Sequence, residues 1–138
     1  MKATLLTVGR AQAPFAEADA HYRKLLSRYQ PITVVEARDD ADLLRKLPGD
    51  GRLVAIDREG KQLDSLAWSR WLEERRLEAR DLCLMIGGPA GLPKEALDAA
   101  QERISLGAQT LPHQLARVVV LEQLFRAAKI AAAEPYHC

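Results

Sequence analysis

The chain has 138 residues, the scale of one ordinary domain, and 48% hydrophobic beside 28% charged residues excludes disorder as its default state. Twenty Lys and Arg against nineteen Asp and Glu leave a net charge of +1, so any contact with nucleic acid must rest on local patches. Cys83 lies in an apolar run and Cys138 ends the chain, which makes no disulfide framework, and no run nears the ~18 apolar residues of a membrane span. The expectation is one soluble, cytoplasmic domain over residues 1–138.

Short apolar runs alternate with longer segments of helical period. Strands are predicted at Ala3–Val8, 32–35, 53–56 and Leu82–Ile86, bounded by Gly, Pro, Asp or Arg. The last two are continuous rather than alternating, as strands buried on both faces of a parallel sheet are. The first helix is predicted over 14–29, with Phe15, Ala18, Tyr22, Leu25, Leu26 and Tyr29 on one stripe. Asp39 fits a cap for a short helix through Leu47, stopped by Pro48 and Gly49. Asp64 or Ser65 fits a cap for a helix carrying Trp68, Trp71 and Leu72, and Pro93 opens another through Arg103. A brief strand at 104–106 precedes a long helix over 113–132. Strands alternating with helices predict an α/β domain on a mostly parallel sheet with helices on both faces.

Ile86-Gly87-Gly88-Pro89-Ala90-Gly91-Leu92 is the strongest local signal, a Gly-rich turn between a buried strand and a helix. Open α/β sheets bind ligands at that end of their strands, and glycines let backbone approach closely. The spacing matches neither the dinucleotide fingerprint nor the P-loop, and the loop itself holds no Lys, so backbone amides and carbonyls rather than phosphate contacts are expected. By pattern alone the segment reads equally as a tight turn without ligand. Ser105 to His113, with Gly107, Thr110 and Pro112, could wrap a small molecule beside it, or serve as a plain connection.

The long helix carries apolar residues over most of its circumference, including Leu115, Val118, Val119, Val120, Leu121, Leu124, Phe125 and Ala128. The sheet covers one side, and a second subunit is expected on another. Glu122 and Arg126 stand four apart in the order that favours a surface pair, worth ~0.3–0.5 kcal/mol. Arg126 could instead face a bound substrate. No Cys, His and Asp grouping has metal-ligand spacing, no nucleophile elbow occurs, and the tail Glu134-Pro135-Tyr136-His137-Cys138 reads as frayed.

Taken together, LCLMIGGPAGL, SLGAQTLPHQLARVVVLEQLFRAAKI and the terminal EPYHC resemble the SPOUT-class large-subunit ribosomal RNA methyltransferases that modify a pseudouridine at N3. MKATLLTVGR and LVAIDREGK fit the same family, so the resemblance runs nearly end to end. It implies a C-terminal trefoil knot, a homodimer, S-adenosyl-L-methionine as methyl donor and 23S ribosomal RNA, on the assembled ribosome, as substrate, with no metal and no membrane. It implies that Ile56 and Gly87 contact the donor and that Leu106, Gly107, Ala108, Gln109, Thr110 and Leu111 wrap it. His113, Arg126, Tyr136 and His137 match positions around the family's substrate site. The chain departs from the pattern by its shortness through 38–50 and by ending in Cys138 where relatives tend to end in a basic residue.

Methyl transfer from a sulfonium is an in-line displacement needing alignment and an outlet for the N3 proton. His113 or His137 could accept that proton, or Arg126 could stabilise the anion. Two other classes remain open on sequence. One is a ribosome-binding factor without catalysis on the same fold. The other is a small nucleotide-cofactor oxidoreductase of flavodoxin-like shape, weakened by the lack of a Ser/Thr/Gly-rich loop after the first strand.

Overall fold

The central strand of the domain, β4 (Leu82–Ile86), is buried at all five positions, between two parallel neighbours. A computed structural model describes residues 1–136 and arranges nine further elements around that strand. In chain order the others are β1 (Ala3–Val8), α1 (Phe15–Leu26), β2 (Ile32–Ala37), α2 (Asp40–Arg45), β3 (Arg52–Gln62), α3 (Ser65–Glu78), α4 (Lys94–Ala99), β5 (Glu102–Ser105) and α5 (His113–Ala131). The sheet is parallel throughout, in the order β2-β1-β4-β3-β5.

Alternation along each strand sorts the core into two layers. Leu5, Leu84 and Val54 stand in register on three adjacent strands and face α1, α3 and α5, where they meet Trp68, Leu72, Val120, Leu121 and Leu124. Their neighbours Leu6, Met85 and Ala55 face the other way, under Leu43 of α2 and Ala96 of α4. Three long helices thus cover one face, and two six-residue helices cover the other. Asp39 caps α2 and Asp64 caps α3, each carboxylate accepting a backbone N–H at 2.8 Å.

Several elements stop short of their periodicity. The apolar stripe of the first helix runs to Tyr29, but α1 ends at Leu26, where the Ser27 hydroxyl donates to the Lys24 carbonyl. The pattern of α4 runs to Arg103. Instead Gln101 is captured by β3, its N–H donating to the Leu53 carbonyl and its side-chain oxygen accepting from the Leu53 N–H. Sheet pairing beats helix propensity there, and β5 starts at Glu102 rather than Ile104.

The longest departure is in β3, predicted over 53–56 and found over eleven residues. Both Ile56 and Lys61 lie opposite Ile104, so residues 57–60 leave the ladder as a bulge. At Gly60 a Cβ would stand 2.5 Å from the Arg103 carbonyl carbon, which makes glycine obligatory where the bulge returns to β5. Among the described residues no helix is long and apolar enough to cross a membrane.

Candidate functional site

The carboxyl ends of β4 and β5 and the middle of β3 open into one pocket of about 330 Å3. Its walls are the turn 87–92 after β4, the loop 105–111 after β5, the start of the β3 bulge, and His113 and Ala116 on the first turns of α5. The two loops flagged by the sequence therefore face each other across one cavity, where open α/β sheets place their ligands.

The Gly-rich turn is held by itself. The Gly91 N–H donates to the Gly88 carbonyl at 2.9 Å, and Gly91 takes a φ of +86°. A Cβ on Gly87 would lie 2.3 Å from the Gly91 carbonyl carbon and 2.5 Å from the Leu92 nitrogen. Glycine at 87 is thus demanded by the turn's own backbone, where the sequence pattern alone leaves a tight turn and a ligand equally open. In the opposite loop the Ser105 hydroxyl accepts from the Gly107 N–H and donates to its carbonyl, and Gly107 takes a φ of +133°. Both loops offer shaped backbone rather than charge.

Seven of the eight donor-side candidates line the pocket: Ile56, Gly87, Leu106, Gly107, Gln109, Thr110 and Leu111. Ala108 does not line it. Ser105, which opens the second candidate loop, lines it as well, and so do Asp57, Arg58 and Ala116, which the sequence does not single out. Ala116 was reachable from its place one turn beyond His113. Asp57 and Arg58 were not, because their orientation follows from the bulge.

Behind the pocket, α5 pins the loop that follows β1. The Gln114 side chain accepts from the Gln12 N–H and donates to the Arg10 carbonyl. Arg117, buried, donates to Asp19, Glu36, Thr7 and the Gly9 carbonyl. Burial raises the Glu36 carboxyl, but the Arg117 guanidinium and the Ala11 N–H outweigh it and hold the group below its ordinary range.

The substrate-side candidates separate. His113 is in the pocket wall, but Arg126 lies thirteen residues further along the same helix, about 20 Å at 1.5 Å per residue. Arg126 donates to the Glu122 carboxylate at 2.8 and 3.1 Å, and the Tyr136 hydroxyl donates to the same carboxylate at 2.9 Å. The Tyr136 ring stands edge-on to Phe125 at 4.8 Å with the Arg126 guanidinium over it at 4.7 Å. Burial and then Glu122 push the phenol well above its ordinary value. Tyr136 is therefore docked, against the expectation of a frayed tail, because Pro135 turns the chain back onto the end of α5. His137 lies outside the described residues. Among those residues no three His, Cys, Asp or Glu side chains gather as a metal site would require.

Comparison with known proteins adds three findings. A family model described as predicted SPOUT methyltransferase matches residues 1–137. The ribosomal RNA large subunit methyltransferase H of Gemmatimonas aurantiaca is 38% identical over 153 residues, and that of Rubrobacter xylanophilus 42% over 154, with at least 98% of each chain covered. A probable methylase family protein from Haemophilus influenzae shares the fold at a TM-score of 0.60 and 11% identity, over 99% of this chain and 70% of that one.

Proposed function

The chain belongs to the SPOUT methyltransferase family, and from that premise we propose that it methylates N3 of a pseudouridine in 23S ribosomal RNA, using S-adenosylmethionine, on the assembled ribosome in the cytoplasm. The observation that carries this reading is the union of the two loops around one pocket without Lys, with His113 in its wall. We extend it to the trefoil knot that the family resemblance implies for the C-terminal segment.

The pocket fits the donor in size and chemistry. About 330 Å3 is within the usual range for small-molecule sites. Ile56, Ile86, Leu92, Leu106 and Leu111 offer apolar surface to a purine and to the methylene groups beside the sulfonium, and the loop backbones offer amides and carbonyls for the donor's polar edges. When bound, S-adenosylmethionine supplies a methyl group on a positively charged sulfur. The protein holds donor and acceptor in line, and His113 stands where it can take a proton at the pocket wall.

Arg126 and Tyr136 cannot reach the same pocket in one subunit, given the ~20 Å of helix between Arg126 and His113. We assign them to the pocket of a second copy. Leu115, Val118 and Val119 of α5 are half-exposed along the helix between these groups, and a dimer seated there would cover them. A flavodoxin-like oxidoreductase would need an open phosphate loop after β1, and that loop is tied down by Gln114 and Arg117.

Calorimetric titration with S-adenosylmethionine beside flavin and dinucleotide tests the donor. Tritiated-methyl incorporation into ribosomes lacking the modification tests the transfer. Saturable binding of S-adenosylmethionine with methylation of intact ribosomes is expected. Binding of flavin instead, or donor binding without turnover, would overturn the reading in favour of the oxidoreductase or of a non-catalytic ribosome-binding factor.

A further inference from the structure

The wall of the donor pocket is almost free of charge. Apart from the titratable His113, its charged residues are Asp57 and Arg58, adjacent on the bulge of β3 at the pocket's rim.

These two neighbours have different engagements. Asp57 is committed to the bulge itself: its Oδ2 accepts the Glu59 N–H at 3.2 Å and faces Arg103 Nη1 at 3.8 Å. Together with the close backbone passage at Gly60, those contacts fix the path of residues 57–60. Arg58 makes no ion pair and no side-chain hydrogen bond among the described residues, and its side chain is exposed. A braced bulge thus presents an uncommitted guanidinium to a pocket that holds no other permanent cation. Bulges beside sites commonly re-aim a side chain in this way. A planar fork of N–H donors is matched by a carboxylate, which it can engage through two parallel bonds.

We propose that Arg58 binds the α-carboxylate of the methyl donor's amino-acid end and thereby makes the pocket select donors that carry it. The proposal rests on the reading of this pocket as the S-adenosylmethionine site. It adds a recognition residue that lies outside the two loops and depends on the bulge. The rim position suits the charged end of the donor, which keeps part of its hydration there, while the adenosine takes the apolar interior.

The test is a titration matrix by calorimetry. Wild type, Arg58→Ala and Arg58→Lys are each titrated with S-adenosylmethionine, S-adenosylhomocysteine, decarboxylated S-adenosylmethionine and 5′-methylthioadenosine. The first two carry the carboxylate and the last two lack it. Arg58→Ala should weaken the first pair about tenfold, the scale of one charge-assisted hydrogen bond at a partly exposed site, and leave the second pair unchanged. Arg58→Lys should fall between, because it keeps the charge and loses the fork. The tenfold gap should narrow as salt rises from about 0.05 to 0.5 M.

Equal weakening of all four ligands would make Arg58 a part of the pocket's shape and overturn the proposal. Unchanged affinity for all four, with a raised KM for ribosomes, would assign Arg58 to a phosphate of the RNA and overturn it too. If wild type binds none of the four, the donor reading falls and this proposal with it. If wild type binds and only the Arg58 pattern fails, the donor reading stands.

Discussion

Arg117 on α5 donates from Nε to Asp19 Oδ2 on α1 across 2.9 Å, and the two side chains are only 2% and 4% exposed. The same guanidinium reaches Glu36 at 2.8 Å and the Gly9 carbonyl at 3.3 Å, so one residue ties the long helix to α1, β2 and the end of β1. Removing Asp19 leaves the buried guanidinium with Glu36 as its one carboxylate among these contacts, and its Nε without an acceptor. Asp19→Ala should cost about 3 kcal/mol in urea unfolding. The double change Asp19→Leu with Arg117→Met should cost less than Asp19→Ala alone, since both buried charges go together and Glu36, partly exposed, keeps the Ala11 N–H. A single-mutant loss below about 1 kcal/mol would show the pair to be dispensable.

Asp42 anchors the thin face of the sheet. Its carboxylate accepts from Lys46 Nζ at 2.8 Å and from the Arg38 N–H at 2.9 Å, and these contacts hold it well below the usual carboxylate range despite its burial. A carboxyl lowered in the folded state contributes fully above its unfolded value, near 4, and loses that contribution as pH falls toward the lowered value. Asp42→Asn should therefore lower Tm by a constant amount above about pH 5, and the gap to wild type should close on acidification. A gap that stays constant down to pH 2 would remove Asp42 from the acid response.

Gly87→Ala should damage the protein, not merely crowd a ligand. The added Cβ meets the backbone of Gly91 and Leu92, so the turn must open. A lower Tm and lost donor binding should appear together. Unchanged Tm with weakened binding would instead put the collision on the ligand.

How far the sequence reaches depends on what decides each boundary. The ends of β1 and β4 are legible to the residue because the apolar run of β4 is bounded by Asp81 and Gly87, and the mostly apolar run of β1 by Lys2 and Gly9. The second half of β3 is not, since Asp57 to Gln62 are polar and join the sheet only because Lys61 and Gln62 find Ile104 and Ser105. The same holds for the site. Its two loops are legible from Gly87, Gly107 and Thr110, whereas Asp57 and Arg58 enter through tertiary register. The distance from His113 to Arg126 follows from helix geometry alone, but the Tyr136 contacts need the folded chain.

The proposed dimer would rest on a narrower surface than the composition of α5 implies. Val120, Leu121, Leu124 and Phe125 are buried within one subunit, which leaves Leu115, Val118 and Val119 half-exposed. Sedimentation equilibrium at micromolar concentration should give twice the chain mass of 15.3 kDa. Val119→Glu should halve it while keeping the helical circular dichroism. Leu121→Glu should unfold the protein, because Leu121 is wholly inside the core. A wild-type mass of one chain would sink the composite site with the dimer.

Tyr136→Phe is the sharpest probe of the substrate side. Deleting residues 136–138 is too blunt, because the Tyr136 ring covers Phe125 and its loss should cost about 1 kcal/mol of aromatic packing. The phenylalanine keeps that ring and removes only the hydroxyl that donates to Glu122. Glu122 also receives Arg126, so the hydroxyl helps fix the carboxylate that orients the guanidinium. In the proposed dimer Arg126 would serve the other copy's pocket, leaving the pocket's own walls unchanged. Donor affinity and dimer mass should therefore stay at wild-type values, stability should fall by no more than about 1 kcal/mol, and ribosome methylation should fall at least tenfold. Methylation at the wild-type rate would reduce Tyr136 to a packing residue and remove it from the substrate site. A parallel fall in donor affinity would move the cluster into the donor pocket, against the ~20 Å that separates Arg126 from His113.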